Sequence, residues 1–91
     1  MTDLLEEIEA LEREAAAGLA AADRGELLAA WHGDFLGRRG RLAQLMRRLG
    51  EAPAADRARL GRAANEAKRT LEEGFAARQE EVKQRELEAA L

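Results

Sequence analysis

Residues 53–91 read PAADRARLGRAANEAKRTLEEGFAARQEEVKQRELEAAL, with one proline at the start and none after it. Along this stretch Leu60, Ala64, Ala67, Leu71, Gly74 with Phe75, Arg78 and Val82 recur at steps of three and four. That spacing puts side chains on one face of an α-helix. An unbroken helix of about 38 residues is about 57 Å long at 1.5 Å per residue. A helix of that length cannot bury itself within a 91-residue globule. It must lie against the helices before it as an antiparallel hairpin, turned at Leu49 to Pro53. The stripe is then a coiled-coil seam, weakened by Gly74 and by a charge, Arg78, at an interior position.

Three shorter helical stretches precede it. The first covers residues 3–21, opens on Asp3 with Glu6 at capping-box spacing, and carries Leu4, Ile8, Leu11, Ala15 and Leu19 on one stripe. The second begins at Asp23, with Glu26 three residues on, and presents Leu27, Leu28, Trp31 and Phe35. The third, Arg41 to Leu49, presents Leu42, Leu45, Met46 and Leu49. Gly50 suits its C-terminal cap, and Pro53 suits the first position of the next helix. Glu9 with Arg13 and Glu81 with Arg85 are supporting pairs four residues apart. No strand pattern occurs. The expected fold is all-α: one helical arm over 1–91, with an N-terminal helix at 3–21 packed on a hairpin. The hairpin's first limb covers 23–49 and is broken at 37–40; its second limb covers 53–91.

The break reads Phe35-Leu36-Gly37-Arg38-Arg39-Gly40. Glycine is disfavoured inside a helix, and two glycines three apart end one. Two arginines between them place permanent cations on the turn. The wider charge distribution agrees. Net charge is −3 overall, but residues 1–31 carry −6, residues 32–69 carry +6 and residues 70–91 carry −3. A basic island between acidic ends points to a polyanionic partner. The competing reading is a solvated surface on which acids of one helix face bases of another.

Other chemistry is poorly served. The chain has no cysteine, so it has no disulfide, no thiolate nucleophile and no thiolate-bound zinc. His32 is the one histidine and lacks a second imidazole to share a metal. Glu6-Glu7, Glu72-Glu73 and Glu80-Glu81 are sequence neighbours and diverge on a helix, so they form no acid–base pair. The glycines at 33, 37 and 40 follow no strand and precede no Gly-Lys-Ser/Thr, so they are not a phosphate loop. No catalytic residue, metal ligand or nucleotide site is expected. The acidic start argues against a targeting segment. The longest uncharged run, Ala15 to Ala22, has eight residues, whereas a membrane span needs about 20.

After Gly40 the order Leu42, Leu49-Gly50, Pro53, Asp56-Arg57, and Gly61, Asn65 and Lys68 as Gly-x-x-x-Asn-x-x-Lys resembles the N-terminal arm of the bacterial phenylalanyl-tRNA synthetase alpha chain. The resemblance is strongest from Trp31 to Leu71. Phe35 stands where that family usually has tyrosine. Arg38 and Arg39 stand in place of lysines, which keeps charge but replaces a point charge with a planar fork. The resemblance implies a tRNA-binding coiled coil that positions tRNA(Phe) for aminoacylation. It implies a cytoplasmic parent enzyme using ATP and magnesium, with two alpha and two beta chains. The catalytic domain follows the arm in that family and is absent here, so this segment alone is expected to be no enzyme.

Under that reading the candidate RNA-binding residues are Arg38, Arg39, Arg41, Arg47, Arg48, Arg57, Arg59, Arg62 and Lys68. They cluster around the hairpin tip and the break, which makes the basic island the distal half of a rod with both acidic ends at its base. Arginines there contact phosphates and set position rather than base identity. Asn65 is a candidate cross-link between the limbs. Trp31 and Phe35 lie four apart and read as a core anchor before a stacking platform. Two rivals are a protein-interaction module using the Leu4-to-Leu19 face and the arm of a seryl-tRNA synthetase. The break and the Gly61–Asn65–Lys68 spacing disfavour the second. Exposed seams on an isolated hairpin would also let the chain self-associate.

Overall fold

The computed structural model describes residues 3–91. It contains α1 (Leu4–Ala21), α2 (Gly25–Phe35), α3 (Arg41–Leu49) and α4 (Ala54–Ala90), with no strand among the described residues. The all-α expectation holds. The molecule measures 56 × 20 × 18 Å. Its radius of gyration of 15.1 Å exceeds the value of about 12 Å for a compact chain of this length. The 37 residues of α4 span about 55 Å, so this one helix sets the long axis.

Local signals explain most boundaries. Asp3 caps α1, its side chain accepting the Leu5 N–H at 3.3 Å. Gly50 caps α3, its N–H donating to the Arg47 carbonyl at 3.2 Å. Pro53 stands one position before α4, and its carbonyl accepts from Asp56 and Arg57. It therefore occupies the cap itself, one residue earlier than expected. Asp23 does not cap α2. The helix starts at Gly25 after an extended Arg24, because buried Ala22 fixes the link and leaves Asp23 outside the first turn.

Two hydrophobic clusters run end to end. Ile8 and Leu11 of α1, Leu42, Leu45 and Leu49 of α3, and Leu60, Ala64 and Ala67 of α4 form one, closed by Ala52 in the turn. Ala15, Leu19 and Ala22, then Leu28 and Trp31 of α2, then Leu71 and Val82 of α4 form the other. Rising numbers in α1 meet rising numbers in α4, so these two helices run the same way. Falling numbers along α2 and α3 meet rising numbers in α4: Gly25 lies beside Glu86, and Trp31 stacks on Phe75 with centroids 5.8 Å apart. The chain therefore passes up, down and up, and the downward pass is broken between α2 and α3. We call the α3–α4 turn the tip and the far end of α4 the base.

That topology corrects the charge layout expected from sequence. With three passes, the start of α1 lies near the tip, where Glu7 meets Arg48, and not at the base. The acidic helix lies along the basic limb.

Trp31 anchors the lower cluster. It is 4% exposed, and its indole Nε1–H donates to the Ala15 carbonyl at 2.8 Å. This is the core role read from the sequence. Phe35, 5.5 Å away between centroids, packs against both clusters. Gly18 and Gly74 allow close approach, since a Cβ there would press on Trp31 and Leu19 respectively.

Candidate nucleic-acid interface

The break between α2 and α3 is a tight turn. Gly40 N–H donates to the Gly37 carbonyl at 2.9 Å. A Cβ on Gly37 would lie 2.7 Å from the Gly33 carbonyl oxygen, and one on Gly40 would lie 2.9 Å from the same atom. Glycine is required here by lack of room; neither residue has positive φ. Side chains from α3 hold the turn's backbone. Gln44 Nε2 donates to the Arg39 carbonyl at 2.9 Å, and Arg47 donates to the Arg38 carbonyl at 3.2 Å. With its carbonyls engaged, the turn projects the Arg38 and Arg39 side chains into solvent, where neither has an ionic partner among the described residues.

All nine sequence-predicted cationic residues are exposed, but their surroundings differ. Arg41 pairs with Glu14 of α1 and lies 5.4 Å from the Phe35 ring centre. Arg48 grips Glu7 with both terminal nitrogens, at 2.7 and 2.9 Å. Its hydrogen bond to Glu7, together with that carboxylate's charge, holds the guanidinium above its ordinary pKa. At these two positions, acids of one helix do face bases of another. Arg57 donates to the Ala52 carbonyl at 2.8 Å and braces the tip. Arg59 lies 3.6 Å from Asp56 one turn back. Arg62 and Lys68 on α4 have no polar partner among the described residues.

Asn65 is exposed and links no limbs. Gly61, Asn65, Lys68 and Glu72 each follow a buried residue of the α4 stripe by one, so they form a second stripe about 100° around the helix. The same stripe continues to Phe75, which touches Trp31 and His32 of α2. It therefore flanks the broken limb. Gly74 and Arg78, which meet Leu19 and the end of α1, mark the opposite flank.

Arg78 was not read as a working residue from sequence. It is a clamp on α1: Nε donates to the Leu19 and Ala22 carbonyls at 3.2 and 3.1 Å, and Nη2 to Ala20 at 2.9 Å. Glu81 completes the set at 3.0 Å. A positive group at a helix C-terminus satisfies its free carbonyls and opposes its dipole. The available signal was an arginine placed among small and apolar seam positions.

Among the described residues no three His, Asp or Glu side chains gather as a metal site, and no helix is long and apolar enough to cross a membrane. The Leu4-to-Leu19 face that a protein-binding module would use is turned inward, with Ile8, Leu11, Ala15 and Leu19 all buried against this chain's own helices.

The described residues thus form a helical rod whose basic limb is broken at Gly37 and Gly40. The chain belongs to the class II aminoacyl-tRNA synthetases, whose N-terminal domain matches residues 23–91. Among its relatives are phenylalanine--tRNA ligase alpha subunits. That of Desulfotalea psychrophila is 47% identical over 70 residues, covering 77% of this chain and 21% of the relative. That of Nitratidesulfovibrio vulgaris strain DP4 is 44% identical over 89 residues, covering 98% and 26%. That of Heliobacterium modesticaldum is 38% identical over 86 residues, covering 94% and 25%. The chain thus spans about a quarter of the length of these relatives. No solved structure matches it.

Proposed function

We propose that this chain is the tRNA-binding coiled-coil arm of a phenylalanine--tRNA ligase alpha subunit. In this reading α2–α3 and α4 are the two antiparallel limbs, and α1 is the helix packed on them. The arm holds the outside of tRNA(Phe) so that its acceptor end reaches a distant active site. Binding energy remote from the reacting atoms is thereby used for orientation. The observation that carries the reading is the glycine-braced turn, which shows Arg38 and Arg39 to solvent without ionic partners among the described residues, on a rod related to these ligases.

Aminoacylation with ATP and magnesium belongs to the catalytic domain of the longer subunit. The partners are that domain and a beta subunit, in a cytoplasmic assembly of two alpha and two beta chains. This chain's part in the chemistry is to position RNA.

The experiment removes residues 1–91 from the full-length ligase and, separately, changes Arg38 and Arg39 to glutamate. Phenylalanyl-adenylate formation and tRNA charging are then assayed independently. Retained adenylate formation with collapsed charging supports the reading. Unchanged charging in both variants overturns it. Loss of both activities on deletion would mean that the segment serves the enzyme's fold or assembly instead.

A further inference from the structure

The rod has two faces beside its basic limb, and their cations differ in how they are paired. On one side, α3 faces α1. That groove is lined by Glu7, Ala10, Arg41, Gln44 and Arg48, and its two arginines are already bound to carboxylates. The exposed acids Glu6 and Glu9 of α1 lie beyond it. On the other side, α3 faces the Gly61–Asn65–Lys68 stripe of α4. Lys68 and Asn65 there are exposed and have no polar partner among the described residues, and Arg47 and the Arg38-Arg39 turn belong to the facing limb.

Gly61 is the second distinguishing feature. A helix-interior glycine is destabilising, and among the described residues only Gly33 of α2 is as open as Gly61. Gly18 and Gly74 admit Trp31 and Leu19, and Gly37 and Gly40 have no room for a Cβ. A Cβ on Gly61 would meet nothing within 4 Å, so no contact in this chain accounts for it. The helix is left bare beside unpaired cations, where an incoming phosphate backbone could approach closely.

We infer that the RNA backbone lies along the face shared by α3 and the Gly61–Asn65–Lys68 stripe, and that acidic α1 closes the other side to it. The inference rests on the RNA-binding reading above and specifies the binding face. Like charges on α1 repel phosphates, whereas Lys68, Arg47, Arg38 and Arg39 attract them. Asn65 is placed to donate its amide N–H to a phosphate or ribose oxygen. The arm is therefore one-sided.

The native chain has no cysteine, so single thiols can be placed at will. Gly61→Cys and Ala10→Cys put one thiol on each face at similar heights along the rod. Each variant is labelled with a thiol-reactive photo-crosslinker and irradiated with an in-vitro transcript of tRNA(Phe), while filter binding is measured in parallel. The expected result is crosslinking at least fivefold stronger from position 61 than from position 10. Equal crosslinking, or more from position 10, overturns the one-sided arrangement. Binding without a crosslink from position 61 overturns it too, while leaving the tRNA reading intact. No binding of unlabelled chain to the transcript defeats the tRNA reading and this inference together. As a second measurement, Lys68→Gln should lower the slope of log affinity against log salt by about one phosphate contact, roughly 0.7 to 0.9. Arg48→Gln, already neutralised by Glu7, should leave the slope unchanged.

Discussion

Arg78 Nε donates to the Ala22 carbonyl at 3.1 Å across 56 residues of sequence. This bond and its neighbours fix where α1 ends and how it lies on α4. Arg78→Ala leaves the Ala20 and Ala22 carbonyls to water, while the Leu19 carbonyl keeps the Ala22 N–H. Since a hydrogen bond to a charged group contributes about 1.5–3 kcal/mol, we expect a loss of about 2 kcal/mol in urea unfolding. Arg78→Lys should fall between the two, because an ammonium cannot reproduce the planar fork. An unshifted urea midpoint for Arg78→Ala would show the clamp to be dispensable.

Trp31→Ala should destabilise the chain by about 3–5 kcal/mol, the range for truncating a buried aromatic. Trp31→Phe keeps most of the apolar surface but abandons the Ala15 carbonyl, so a smaller loss of about 1 kcal/mol is expected. Thermal and urea unfolding followed by far-ultraviolet dichroism measure both. If the two variants are equally stable, the hydrogen bond outweighs the packing.

The two glycine environments make opposite predictions for the same substitution. Gly61→Ala adds a methyl to open space inside a helix, and should stabilise by about 0.5–1 kcal/mol. Gly37→Ala drives a methyl against the Gly33 carbonyl, and should destabilise by about 1–3 kcal/mol as an overpacked site. Matching signs for the two in the same unfolding assay would contradict the described turn.

Glu7→Gln and Glu14→Gln remove the carboxylates that hold Arg48 and Arg41. Both pairs lie at the surface, where ion pairs contribute little, so neither change should move the urea midpoint appreciably. The released arginines should instead raise affinity for heparin at about 50 mM salt, and the gain should fade by about 200 mM. Heparin-column elution at lower salt than the unmodified chain would refute this.

The helices were legible because each stripe is local. Leu60, Ala64, Ala67 and Leu71 repeat within one segment, and Gly50 and Pro53 mark a turn without reference to anything distant. The Trp31 core role was legible too, since few other large side chains could fill a core. The direction of α1 was not. It depends on which helix buries Ile8 to Leu19, and that choice is made by packing between segments more than 50 residues apart. The neutralised state of Arg41 and Arg48 follows from it, so the candidate site could be named as a set but not divided into paired and unpaired cations. Asp23 was misread for a similar reason: cap chemistry was right, but the short link's geometry was fixed by Ala22 in the core.

The odd number of passes has a consequence for how the segment sits in a longer polypeptide. A two-pass hairpin returns its chain to the pole it left, so both of its neighbours in sequence share one location. Here the chain is taken up near one pole of a 56 Å axis and given off at the other. Asp3 therefore lies near the α3–α4 turn, whereas Leu91 lies at the opposite end of the rod.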